Sequence, residues 1–261
     1  MSASVDNYLT MPLTRDNIKR ILESHNKNNQ ELLNSSVQKN IIAFIGNTGS
    51  GKSTLINSLI EKDLIVDKYD NVVLRDPNDQ SAMRIGVTSV SETHFPKFFE
   101  YKNQMFYDFP GLNDTRGPIV SLVNAAFIKN IIEKALTVKI VFVVSKEEIM
   151  AVRGEAVKHL VKATKNLLNS ESIENVSALI VNKSWPKKNI QLVVEMLRQK
   201  TDGEIVSRWY TAERLGKMEA PNDHGVIRKE DRDEILEAIS RIQAKSLCKV
   251  NIGAIFNRYS F

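Results

Sequence analysis

Eight consecutive residues, Gly46–Ser53 (GNTGSGKS), place three glycines, a lysine and hydroxyl side chains at a fixed spacing. They fit G-x-x-x-x-G-K-[ST] in full. Glycines let a backbone curl until successive N–H groups face one hollow, and such a hollow takes an anion. A helix starting there adds about half a positive charge of dipole. Lys52 brings a full charge for the β- and γ-phosphates of a nucleotide, and the Ser53 hydroxyl is placed to ligate Mg2+. The candidate phosphate-binding residues are therefore Gly46, Asn47, Thr48, Gly49, Ser50, Gly51, Lys52, Ser53 and Thr54. The plainer alternative is a glycine-rich turn with a chance lysine. The context argues against it: an apolar run, Ile41–Ile45, leads in, and Leu55, Ile56, Leu59 and Ile60 follow at helical spacing.

A phosphate loop names a site, not a reaction. QMFYDFPGLNDTRG (104–117) narrows it, because Asp108 ends an apolar strand and Gly111 stands three residues on. This is the D-x-x-G pattern of GTPases. Asp108 would hold Mg2+ through a water molecule. The Gly111 amide would touch the γ-phosphate, and losing that contact on hydrolysis would release the loop that follows. A threonine is then needed to ligate Mg2+ and sense the γ-phosphate. IGVTSVSETHF offers Thr88, with Ser89 and Thr93 as competitors.

These motifs need a strand before each loop and a helix after it. Apolar runs give strands at Ile41–Ile45, Thr93–Phe99, Gln104–Asp108, Lys139–Val144, Val176–Val181 and Leu215–Glu219. Helical spacing gives Lys52–Lys62, Ile119–Leu136, Arg153–Leu168, Ile190–Tyr210 and Arg232–Leu247. KIVFVVS carries the continuous apolar run Ile140–Val144, as suits a strand covered on both faces of a mainly parallel sheet. The alternation predicts a three-layer α/β fold. Residues 63–85 read as a small hairpin plus a mobile loop. Thr14 is a candidate N-cap for a helix over 14–37 that HNKNNQ could split in two. The expected organisation is a helical appendage over 1–38, the nucleotide-binding domain over 39–247 and a tail over 248–261. The aromatic tail suggests that the natural chain continues.

GNTGSGKSTLIN, GVTSV and DFPGLND resemble the septin, chloroplast-import and immunity-associated branch of the P-loop GTPases. The resemblance spans roughly residues 38–247. It implies a G domain that binds GTP and GDP with Mg2+. In that branch N-K-x-D or T-K-x-D reads the base. Here ALIVNKSWPKK supplies Asn182 and Lys183, but Trp185 replaces the aspartate. Two charged hydrogen bonds to guanine at about 1.5–3 kcal/mol each would supply about 10²- to 10⁴-fold discrimination. Lys183 can lie along the base and Trp185 can stack on it, while Glu219 and Asp223 are candidate substitute carboxylates. Ras-like GTPases carry a water-orienting glutamine directly after D-x-x-G, where this chain has Leu112. Hydrolysis should be slow, at or below roughly 10⁻⁴ s⁻¹. Arg116 is a candidate arginine finger, with Arg153 the weaker one. The branch implies nucleotide-dependent dimerisation.

Composition bounds the rest. With 36 basic against 31 acidic residues in 261, the surplus is scattered, so nucleic-acid binding is not expected. Cys248 is the single cysteine and can form no internal disulfide, which fits a cytoplasmic protein. No apolar run reaches the roughly 20 residues of a membrane span. The four histidines are dispersed without metal spacing, and Ile235, Leu236, Ile239 and Ile242 read as core. Three readings remain: a slowly hydrolysing guanine-nucleotide switch, a nucleotide-dependent assembly module with negligible hydrolysis or relaxed base choice (ATP included), and an ATPase or kinase. The last lacks an arginine-rich lid and L-S-G-G.

Overall fold

The computed structural model describes residues 14–28, 30–37, 39–69, 71–86, 96–111, 118–151, 155–168, 173–182, 195, 199, 209–211 and 229–246. The chain enters through α1 (Arg15–Asn28) and α2 (Gln30–Ser35). Thr14 does cap α1, its Oγ1 accepting from the Asn17 amide at 3.3 Å. The polar HNKNNQ stretch has too little apolar side chain to carry one helix through, and α1 ends inside it.

A six-stranded sheet follows. Its strands are β1 (Asn40–Ile45), β4 (Lys97–Tyr101), β5 (Gln104–Asp108), β6 (Thr137–Ser145), β7 (Ser177–Asn182) and β8 (Trp209–Thr211), in the order β4-β5-β1-β6-β7-β8. β5, β1, β6, β7 and β8 run parallel, and β4 pairs antiparallel with β5. Lys102 and Asn103 join β4 to β5 with φ of 48° and 62°, the left-handed pair that a two-residue hairpin turn demands. β2 (Leu64–Val66) and β3 (Val72–Leu74) form the expected separate hairpin.

The apolar strands are explained by helices on both faces. Ile41, Ala43, Ile45, Phe142 and Val144 pack with Ile21 of α1, Phe127 and Ile131 of α4 (Pro118–Lys134), and Leu160 of α6 (Glu155–Leu168). Ile42, Phe44, Val141 and Val143 face the other way. They pack against Leu55, Ile56 and Leu59 of α3 (Lys52–Leu59), and Ile235 and Ile239 of α7 (Lys229–Arg241). Ile235, Ile239 and Ile242 are indeed core.

Several boundaries differ from the sequence expectation. α3 stops at Leu59 because Glu61 takes φ 63°, which no helix continues through. β4 is described from Lys97 to Tyr101, further along than expected, and 93–95 lie outside the described residues. α4 ends at Lys134, and α7 starts and ends earlier than Arg232–Leu247. The helix expected to reach Tyr210 overran, because Trp209–Thr211 is a strand. These aromatic and β-branched residues favour a pleated surface. The strand expected at 215–219 lies outside the described residues. The five-residue helix α5 (Lys146–Met150), directly after β6, was not anticipated.

Candidate functional site

β1 delivers Gly46 to the end of the sheet, where its neighbour β6 leaves no room for a side chain. A Cβ on Gly46 would lie 2.1 Å from the Val143 carbonyl oxygen. The Ser50 amide closes a turn onto the Asn47 carbonyl at 3.2 Å, with Gly49 at φ 81° in its third position, where a side chain would be strained. Gly51, at φ 89°, is the N-cap of α3 and gives it no side-chain cap. The N-terminus of α3 therefore opens on the loop with no cap from its N-cap residue, and a helix N-terminus is an arrangement that receives an anion.

Lys52 is 6% exposed, and its Nζ folds back to donate to the Gly46 and Asn47 carbonyls at 3.1 and 2.8 Å. Ser53 Oγ donates to Asp108 Oδ2 at 2.5 Å. Asp108 is 1% exposed, and its other oxygen, Oδ1, is buried with no hydrogen-bond partner. Burial pushes its carboxyl pKa up. The Lys52 charge, the Ser53 hydrogen bond and the charge of Lys97 pull it back. Lys97 stands directly across from Asp108 in the β4–β5 register, so both side chains leave the same face of the sheet.

Gly111, three residues past Asp108, packs on the loop. A Cβ there would lie 2.6 Å from both the Thr48 amide nitrogen and Thr48 Oγ1, so the approach needs glycine. Thr48 Oγ1 and Ser50 Oγ are also buried without hydrogen-bond partners. From the end of β7, Asn182 Nδ2 reaches the Ser50 and Gly51 carbonyls at 3.1 and 3.3 Å. The structure thus gathers Gly46–Thr54, Asp108, Gly111 and Asn182 at the C-terminal end of the parallel strands. Thr88, Arg116, Lys183 and Trp185 lie outside the described residues, as do Ser89, Thr93, Leu112, Arg153, Glu219 and Asp223.

Two residues that brace this site escaped the sequence reading. Glu148 closes a capping box at α5. Its backbone N–H donates to Ser145 Oγ, and its Oε2 accepts from the Ser145 amide at 2.7 Å. Its Oε1 accepts from Asn47 Nδ2 at 2.8 Å, which ties the phosphate loop to β6. The S-x-x-E signature was present in VVSKEEIM. Asn57, one helical turn after Ser53, is fully buried and makes a paired amide bridge to Met83. Its Nδ2 donates to the Met83 carbonyl, and its Oδ1 accepts from the Met83 amide, both at 2.8 Å. A polar residue beside the inner face of α3 was the available signal.

The residues fit a magnesium nucleotide. Mg2+ is commonly held by one or two carboxylates plus phosphate oxygens and waters, and the unpartnered Asp108 oxygen beside the Ser53 hydroxyl suits that role. No group of three or more His, Cys, Asp or Glu that could hold a metal occurs among the described residues.

A mainly parallel sheet whose first strand feeds a glycine loop and a lysine-bearing helix is the fold of a P-loop GTPase G domain. The chain belongs to the family described as 50S ribosome-binding GTPase, whose model matches residues 41–183. Among solved structures it is similar to Toc33 from Arabidopsis thaliana in complex with GDP and Mg2+. The identity is 14%, over 93% of this chain and 99% of that one, with a TM-score of 0.51. A dimerization-deficient mutant of Toc33 is likewise similar, at 14% identity over 92% and 96% with a TM-score of 0.50. A probable GTP-binding protein engB is 19% identical over 77% of this chain and 98% of that one, with a TM-score of 0.41. At these identities the likeness is one of fold. No curated protein matches the chain.

Proposed function

We propose that this protein is a Mg2+-dependent guanine-nucleotide-binding switch that hydrolyses GTP slowly. The observation that carries this reading is the convergence of Lys52, Ser53 and Asp108, with an unpartnered buried oxygen on Asp108. Loop amides and the α3 N-terminus receive the phosphates, and Lys52 adds its charge to the β- and γ-phosphates. Ser53 and Thr88 would hold Mg2+ directly and Asp108 through a water molecule, and the metal would supply charge neutralisation at the phosphates. Gly111 and Thr88 report the γ-phosphate to the loops they belong to. Leu112 cannot orient a water molecule, so turnover is slow unless Arg116 or a second copy of the chain completes the site. Nucleotide-dependent pairing of two G domains is part of this reading, as is work in a cytosol. The dimerization-deficient Toc33 mutant is a fact about Toc33 and supports the pairing only by analogy of fold.

The base end supports a second reading, an assembly module with relaxed base choice and negligible hydrolysis. Asn182 gives its amide nitrogen to loop carbonyls, and the sequence has Trp185 in place of the aspartate of N-K-x-D. In the first reading Asn182, Lys183 and Trp185 together cradle the base, and discrimination comes from another group.

Lys52→Ala tests the site itself. The variant should keep the far-UV spectrum of the wild type and lose measurable GTP and GDP binding. Unchanged affinity would remove this loop as the nucleotide site.

A further inference from the structure

We propose that Thr48 is a specificity-determining residue. Its hydroxyl hydrogen-bonds the terminal phosphate of a nucleoside triphosphate and so separates triphosphate from diphosphate. The inference rests on the nucleotide-switch reading and adds to it a side-chain role at a position where the loop motif specifies none.

Three observations meet at this residue. Thr48 occupies the second position of the turn closed by the Ser50 amide on the Asn47 carbonyl, within the phosphate loop. Its Oγ1 is buried and has no hydrogen-bond partner. Gly111 presses against the same atom, so close that a Cβ would stand 2.6 Å from it. The hydroxyl thus lies at the seam between the phosphate loop and the D-x-P-G turn, the two segments that a terminal phosphate must touch together. A buried hydroxyl without a partner is an unfavourable arrangement, and an anionic oxygen at that seam relieves it. A diphosphate ends before the seam and does not. The neighbouring orphan, Ser50 Oγ, lies against Gly46, where a Cβ would come within 2.8 Å of it, and is not among the three atoms nearest a Cβ on Gly111. It carries no such role.

The loss of one hydrogen bond to a charged acceptor corresponds to about 10- to 150-fold in affinity. Thr48→Val keeps the side-chain shape and removes the hydroxyl, and Thr48→Ser keeps the hydroxyl and removes the methyl. The experiment is calorimetry of wild type and both variants with Mg2+, using GDP and a non-hydrolysable GTP analogue. The ratio of the two affinities is the readout, so any general weakening of the loop cancels. Thr48→Val should lose about 10- to 150-fold in that ratio, and Thr48→Ser should hold the wild-type ratio. Thr48→Ala, which places no methyl against Gly111, should match Thr48→Val and guards against a folding defect. A Thr48→Val ratio equal to wild type, with wild type binding both ligands, overturns this inference and leaves the switch reading standing. A wild type that binds neither ligand overturns both.

Discussion

Ser53 Oγ, at the start of α3, donates to Asp108 Oδ2, at the end of β5, across 2.5 Å. That single bond joins the phosphate loop to the strand carrying the D-x-x-G motif, and it leaves the other Asp108 oxygen unpartnered. Burial raises this carboxyl's pKa, because its buried surroundings disfavour the charged form. Asp108→Asn should therefore leave the metal-free domain no less stable in urea than the wild type. It should also cut the Mg2+-dependent gain in GTP affinity by about tenfold or more, the weight of one charged hydrogen bond. A variant that responds to Mg2+ as the wild type does would take Asp108 out of the metal site.

The Asn57–Met83 bridge anchors the chain five residues before Thr88. Asn57→Leu fills the space but strands both Met83 backbone groups. The expected loss is about 2–4 kcal/mol, two unsatisfied buried groups at the lower end of their penalty. Urea unfolding measures it. A loss under half a kilocalorie would mean that Met83 finds other partners.

Glu148 acts on the loop from the opposite side, through Asn47. Glu148→Ala removes an N-terminal cap partner of α5 and the loop tether together, and about 1 kcal/mol of stability should go with them. Nucleotide affinity should fall severalfold for GTP and GDP alike, because the tether positions the loop rather than touching phosphate. A selective loss of GTP would assign Glu148 a direct role at the γ-phosphate.

Tyr107 links the N-terminal helices to the strand that ends in Asp108, its hydroxyl 2.7 Å from Ser35 Oγ. Burial pushes its pKa up from 10.0 to about 12. Above pH 10 the unfolded chain loses this proton while the folded chain keeps it, so stability falls as pH rises from about 10 to about 12 and levels off beyond. The full fall is about 2–3 kcal/mol. Other groups titrate in the same window, so the quantity to measure is the stability difference between wild type and Tyr107→Phe. That difference should shift against the wild type between pH 9 and pH 12. A constant difference would mean that the hydroxyl titrates as it does in water.

Much of this was legible in the sequence for definite reasons. GNTGSGKS dictates a backbone shape through its glycines, and the apolar runs on either side could only be a doubly covered strand and a packed helix. Asn57 and Glu148 were not legible because their partners, Met83 and Asn47, are 26 and 101 residues away. Neither spacing has a local signature, although half of the Glu148 role, the capping box, did. Trp209 and Tyr210 of the strand Trp209–Thr211 fall within the helix expected from the sequence, because three residues are too few to display a period of two.

The central claim is guanine-nucleotide switching, and calorimetry of the nucleotide-free chain with Mg2+ and GTP, GDP, ATP or XTP tests it most directly. The account predicts tight binding of GTP and GDP, with ATP and XTP weaker by about 10²-fold or more, the discrimination that two charged hydrogen bonds supply at their lower limit. Equal binding of all four, or a preference for ATP, would contradict it and make Trp185 the mark of a site that no longer reads guanine.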